Sequence, residues 1–90
     1  MAVKIVSPLL YRYYGKEQTV RVSGKTVGEC LEQLTKDNAE LRKILFRQND
    51  ELHDYLYVSI NKENTAREGV LNRRVKDGYE IHLNVIVEGG

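Results

Sequence analysis

The sequence has 90 residues, of which 41% are hydrophobic and 30% are charged, so it allows one small domain with a modest core. Its 14 basic and 13 acidic residues are interleaved and leave a net charge of +1, which argues against a nucleic-acid-binding protein. A single cysteine, no apolar run of the roughly 18 residues that a membrane span needs and no secretory-signal pattern together predict a cytoplasmic protein.

The first part of the chain predicts a β-hairpin. Residues 3–9 form a β-rich run closed by Pro8, and residues 18–22 alternate polar and apolar side chains, as a half-buried strand does. Gly15-Lys16 lies between the two runs and is a turn candidate.

An amphipathic helix is predicted next, over about residues 27–36. Thr26 lies three residues before Glu29, which is the spacing of a capping box. The apolar residues that follow recur at i, i+3, i+4 and i+7, in the order Val27, Cys30, Leu31 and Leu34. On this stripe a free cysteine behaves as a small hydrophobic side chain, so Cys30 is interpreted as a core residue.

A second, shorter helix and two more strands are predicted in the rest of the chain. Asp37, three residues before Glu40, is a candidate cap for a helix that carries Leu41, Ile44 and Leu45. Residues 55–61 are the clearest strand, with one apolar side made of Leu56, Val58 and Ile60. After a polar connection over 62–69, Asp77-Gly78 predicts a turn and residues 80–87 a last strand with Ile81, Leu83 and Val85 on one side.

The order β-β-α-β-β indicates an α+β protein with a β-grasp fold. In this fold a mixed sheet of four to five strands carries one main helix on one face, and the first and last strands lie side by side in the centre. We expect residues 1–90 to form this single domain, with a flexible tail over about 86–90.

The last two residues, Gly89-Gly90, are the strongest candidate for a functional site. Glycine has no side chain and permits every backbone region. A terminus of this kind can thread a narrow channel and present a bare carboxylate to an enzyme. Behind a predicted β-grasp strand, the pair therefore indicates that the terminal carboxyl group is the reactive group.

With these features the chain resembles the MoaD/ThiS-type family of ubiquitin-like sulfur carriers, which serve molybdopterin and thiamin biosynthesis. The resemblance covers almost the whole chain. It is carried by the early strand ending near Pro8, the capped helix from Thr26, the strand reaching Asn61, the Asp77-Gly78 turn and the terminal Gly89-Gly90. Residues 52–61 and the part of the chain after them most resemble the branch that carries sulfur for cysteine or homocysteine synthesis.

The resemblance implies a carrier rather than an enzyme. An E1-like enzyme would recognise Gly89 and Gly90 and use ATP to adenylate the Gly90 carboxylate. A sulfur donor or sulfurtransferase would then convert the carboxylate to a thiocarboxylate. A cysteine or homocysteine synthase-like enzyme that depends on pyridoxal phosphate would accept the sulfur, and a metalloprotease would release the product. The carrier itself is expected to bind no cofactor.

A second candidate site is the sheet face that the main helix leaves open. Val6, Tyr57, His82, Asn84 and Ile86 are expected on this face, and aromatic and aliphatic residues there are candidate anchors for partner proteins. The alternative interpretation is a set of scattered exposed apolar residues, as on any small protein. No metal site is expected, because the two histidines have no partner at ligand spacing.

Three other functions fit the same sequence. The chain could serve molybdopterin or thiamin synthesis, or act as a ubiquitin-like modifier joined to lysines through an isopeptide bond, because the chemistry is shared up to the activated carboxyl group. The third is a passive β-grasp interaction domain in which the glycines are incidental.

Overall fold

The computed structural model describes residues 2–10, 19–66 and 68–85. Within these ranges the chain forms one five-stranded sheet, two α-helices with defined bounds, a short 3-10 helix and helical residues at 8–10. The strands are β1 (Val3–Val6), β2 (Thr19–Val22), β3 (Leu56–Ile60), β4 (Glu63–Asn64) and β5 (Glu80–Val85). The helices are α1 (Val27–Thr35) and α2 (Ala39–Leu45), and the 3-10 helix is Val70–Asn72.

The strand order is β2-β1-β5-β3-β4, and β1 and β5 are parallel neighbours at the centre of the sheet. The other three pairs are antiparallel. This arrangement confirms the predicted β-grasp fold, including the pairing of β1 with β2 and the central position of the first and last strands. The predicted Gly15-Lys16 turn lies outside the described residues.

Helix α1 begins at the predicted cap, Thr26, but the reciprocal bond of the capping box reaches the residue before the cap. The Thr26 hydroxyl accepts a hydrogen bond from the backbone N–H of Glu29 at 3.1 Å. The Glu29 carboxylate in turn accepts one from the backbone N–H of Lys25 at 3.3 Å. These contacts satisfy amide groups that have no partner inside the helix. The predicted apolar stripe is buried against the sheet, and Cys30 has no exposed surface.

The predicted cap of α2 was wrong by one residue. Asn38 holds the cap position, and its side chain accepts a hydrogen bond from the backbone N–H of Leu41 at 3.0 Å. Asp37 still belongs to the turn that ends α1, because the Asn38 N–H donates back to the carbonyl of Thr35 at 3.1 Å. At Asn38 the backbone, with φ −139° and ψ 89°, has left the helical region, as a cap residue requires.

The first strand is shorter than the predicted run over residues 3–9. It ends at Val6, and residues 8–10 are helical. The Ser7 hydroxyl accepts a hydrogen bond from the backbone N–H of Leu9 at 3.2 Å, which is the role of a helix cap. Pro8 suits the first helical position because its fixed φ is already helical and it has no N–H to leave unpaired.

The predicted strand over residues 55–61 also loses both ends, and a short strand follows it. Tyr55 lies in a turn, while Asn61 (φ 51°) and Lys62 (φ 70°) are left-handed and form a two-residue connection to β4. The polar connection over 62–69 was expected to hold no strand. Instead it contributes β4, which pairs with the end of β3 and forms one edge of the sheet.

The core lies between the two helices and one face of the sheet. The predicted side of β3 is buried, and so are Ile81 and Leu83 of β5. Val85 continues the same alternation but is 36% exposed, because it is the last residue of the strand. In the described part of the chain, every buried side-chain nitrogen and oxygen has a hydrogen-bond partner.

Candidate functional site

The residues predicted to carry the chemistry, Gly89 and Gly90, lie outside the described residues, as does Ile86. The structure does describe the strand that leads to them. β5 pairs with β1 on one side and with β3 on the other, and its last described residue, Val85, is in register with Leu56. The terminal segment is therefore attached to a strand that is hydrogen-bonded on both sides.

Four of the predicted partner-binding residues share the sheet face opposite the helices. Val6 is in register with His82, and Asn84 with Tyr57. Residues in register across a sheet project to the same face, so the four side chains form one surface across β1, β5 and β3. Tyr57 is the most exposed of them at 39%, and the other three are partly buried.

A histidine–carboxylate hydrogen bond lies on this face. The His82 Nε2 atom is 2.7 Å from Oε1 of Glu80, two residues earlier on β5. The hydrogen bond with His82 lowers the pKa of Glu80 below its usual value, and Lys4 and Lys62 act in the same direction against an opposing effect of burial. The face therefore carries an ionised carboxylate next to its aromatic and amide groups.

The sequence interpretation missed the polar residues that complete this face. The register places Thr19 opposite Val6 and Arg21 opposite Lys4. On the other side, Ser59 lies opposite His82, and its hydroxyl donates to the Asn64 side chain at 3.0 Å. The alternation within each strand already indicates which residues share a face. Which of them are neighbours became clear only from the register between the strands.

Outside the tail and the open sheet face, the described side chains form no further candidate for a reactive or metal-binding site. His53 stacks on Tyr55 with ring centroids 4.9 Å apart, and its Nε2 atom is 3.0 Å from the Lys43 carbonyl oxygen. Among the residues that the structure describes, no three histidine, cysteine, aspartate or glutamate side chains are grouped so that they could hold a metal ion. In the same residues, no helix has the length and hydrophobicity to cross a membrane.

Solved structures similar to this chain share its fold over nearly its full length. A chain of the Amycolatopsis orientalis BexX/CysO complex is 30% identical with a TM-score of 0.84, and the match covers 99% of this chain and 100% of that one. SAMP1 from Haloferax volcanii is 27% identical with a TM-score of 0.80 and full coverage of both chains. Urm1 from Trypanosoma brucei, at 13% identity and a TM-score of 0.70 over 99% of this chain and 95% of that one, shares the fold alone.

No family model and no curated protein sequence matches the chain. The solved structures are small ubiquitin-like carriers and modifiers and are not catalytic enzymes. The 30% identity extends over the full length of both chains and accompanies the same β-grasp architecture. The chain therefore belongs to the family of ubiquitin-like sulfur carriers and modifiers.

Proposed function

We propose that this chain is a sulfur carrier for cysteine or homocysteine synthesis and that Gly90 is the residue that bears the sulfur. The observation that supports the proposal best is the full-length similarity to a chain of the BexX/CysO complex. It is joined by the pair Gly89-Gly90 at the end of the sequence, after a central β-strand.

The first step is activation of the Gly90 carboxylate, which is a poor electrophile on its own. A carboxylate oxygen attacks the α-phosphorus of ATP on an E1-like enzyme, pyrophosphate leaves, and an acyl adenylate forms. Because Gly89 and Gly90 have no side chains, they fit a channel too narrow for other residues. The role of the carrier in this step is to deliver the carboxylate into the active site of its partner.

The second step places sulfur on the activated carbon. The sulfur of a hydrosulfide donor attacks the acyl carbon of Gly90, AMP leaves, and a thiocarboxylate remains. The anionic form of sulfur is the nucleophile, as it is for a thiolate. The thiocarboxylate sulfur can then replace the leaving group of an activated serine or homoserine derivative on a pyridoxal-phosphate enzyme, which joins the amino acid to Gly90 as a thioester. Transfer of the Gly90 acyl group from that sulfur to the amine of the same amino acid gives an amide, and a metalloprotease can hydrolyse this bond to release the amino acid and restore the Gly90 carboxylate.

The open sheet face is the proposed docking surface for these partners. Tyr57 is the exposed aromatic residue of this surface, and aromatic side chains are frequent anchors at protein interfaces. Val6, His82 and Asn84 surround it on the same face, and Ile86 is assigned to this surface from the sequence alternation. A partner that binds this face is held beside the strand that leads to Gly90.

The proposal predicts a defined change in the mass of the intact protein. Incubation with an E1-like enzyme, ATP and sulfide should increase the mass by the difference between one sulfur and one oxygen atom. A variant that lacks Gly90 should keep its mass, whereas Glu32→Gln, an exposed change on α1, should be loaded like the parent protein. An unchanged mass for the parent protein, under conditions in which another member of the family is loaded, would contradict the proposal.

A second candidate function is a protein modifier, which is supported by the similarity to SAMP1, a small archaeal modifier protein. A modifier uses the same adenylate, but a lysine amine of a target displaces AMP. Incubation with the activating enzyme, ATP and cell extract without sulfide separates the two functions. Conjugates of higher mass that require Gly90 indicate a modifier. Their absence here, together with sulfur loading in the separate incubation with sulfide, indicates a carrier.

A further inference from the structure

An open groove lies at the edge of the sheet, beyond the point where β4 stops pairing with β3. Thr65 makes the last described contacts along this edge, through its backbone N–H and its hydroxyl, both of which donate to the carbonyl of Val58 at 3.2 and 2.8 Å. The chain then crosses to α1, where the Arg73 carbonyl accepts a hydrogen bond from the Val27 N–H at 2.9 Å. The start of β3 is left beside a groove of about 730 Å³.

The floor of the groove is apolar and comes from three separate parts of the chain. Leu56 and Val58 line it from β3, Leu52 from the preceding loop, and Val70 and Leu71 from the 3-10 helix. The close approach of the 3-10 helix to α1 fixes one wall, because a Cβ atom added at Gly28 would lie 3.0 Å from the Leu71 carbonyl oxygen.

The rim of the groove is acidic. Glu51, Asp54 and Glu68 line it, and none of the described lining residues is basic. Asp54 forms a salt bridge with Arg47 at 3.2 Å. The carboxylates of Glu51 and Glu68 are exposed and form no salt bridge with any other residue that the structure describes. Within the described residues, the groove therefore combines an apolar floor with two carboxylates, Glu51 and Glu68, that form no salt bridge.

We propose that this groove binds a polypeptide segment of a partner protein in which an aliphatic or aromatic side chain is flanked by lysine or arginine residues. The apolar side chain would occupy the floor and the cations would face Glu51 and Glu68. Complementary charge around an apolar contact favours one class of partner and repels others, including nucleic acids. The groove is open to solvent, which suits a protruding side chain better than an enclosed small molecule.

This binding site lies apart from His82 and Asn84 of the open sheet face, and its proposal does not depend on the sulfur-carrier function. Tyr57 borders both surfaces, but His82 and Asn84 do not line the groove. A partner in the groove would therefore leave His82 and Asn84 uncovered, whereas Tyr57 would be shared between the two surfaces.

The test uses the full chain and a synthetic peptide of sequence KRLFRK, with KRSSRK and EELFEE as matched peptides. NMR titration should show saturable shifts of groove residues with KRLFRK only, and the affinity should fall as salt is raised. The double variant Glu51→Lys/Glu68→Lys should bind about tenfold more weakly, because each exposed ion pair contributes modestly. Glu32→Lys/Glu40→Lys makes the same charge change on the exposed sides of α1 and α2 and should leave the affinity within about twofold.

Three outcomes would overturn the proposal. KRSSRK could bind as tightly as KRLFRK, which would show that charge alone accounts for binding. The shifts could centre on His82 and Asn84, which would place the peptide on the sheet face. Saturable binding could also be absent. A variant that lacks Gly89 and Gly90 should bind KRLFRK like the parent, so this result is independent of sulfur loading.

Discussion

At the residue scale, Cys30 and the terminal glycine are the two candidates to carry sulfur, and their surroundings differ. Cys30 has no exposed surface and packs among the apolar residues of α1. Burial, and to a lesser extent the neighbouring Glu29 carboxylate, raise the pKa of the Cys30 thiol. A thiol that is both inaccessible and protonated is a poor nucleophile. Cys30 is therefore a packing residue, which agrees with the proposal that Gly90 bears the sulfur.

The Cys30→Ala variant should accept sulfur from the activating system as the parent protein does. Its free energy of unfolding should fall by about 1 kcal/mol, because a buried sulfur atom is lost and a small cavity remains. Urea unfolding measures the stability, and the mass of the intact protein measures loading. Loss of loading in a folded Cys30→Ala protein would show that the thiol takes part in the transfer.

At the element scale, the helices depend on specific caps, and one pair of neighbouring residues tests this directly. Asn38→Ala removes the hydrogen bond to the Leu41 N–H and should lower the free energy of unfolding by about 1 kcal/mol. Asp37→Ala changes an exposed turn residue and should lower it by less than about 0.5 kcal/mol. Urea unfolding of the two variants, compared with the parent protein, is the measurement. A larger fall in the free energy of unfolding for Asp37→Ala than for Asn38→Ala would show that Asp37 is the cap, as the sequence predicted.

These neighbours also show where prediction from the sequence succeeds and where it stops. The apolar stripe of α1 and the alternation of β3 predict elements well, because burial imposes the same period on the chain. Both Asp37 and Asn38 are good caps, and only the backbone conformation decides between them. The two residues of β4 are polar and too few to show any alternation, so their pairing follows from the tight turn before them and from the neighbouring strand.

The open sheet face and the acidic groove also differ in how far the sequence predicts them. Val6, Tyr57, His82 and Asn84 could be assigned to one face from the sequence, because each belongs to a strand whose other side is apolar. The acidic groove could not be predicted. Its lining comes from the loop before β3, from β3 itself and from the 3-10 helix, and no pattern within any one of these segments indicates that they meet.

At the scale of the whole molecule, the sheet separates three tasks. One face is covered by the helices and supplies the core, and the opposite face remains open for a partner. The groove lies along the part of β3 that does not pair with β4. β5 lies at the centre of the sheet, between β1 and β3, so the strand that leads to Gly89-Gly90 is hydrogen-bonded on both sides. Under the proposed function, we expect the scaffold to present the terminus without its own side chains taking part in the chemistry.

The central claim is that the Gly90 carboxyl group, and no side chain, carries the sulfur. Tandem mass spectrometry of the protein after incubation with an E1-like enzyme, ATP and isotopically labelled sulfide tests it most directly, because the fragments locate the label. The account predicts the label on the fragment that ends in Gly90, with the fragment containing Cys30 unlabelled. A label on Cys30, or an adenylated Gly90 that never accepts sulfur, would contradict the account.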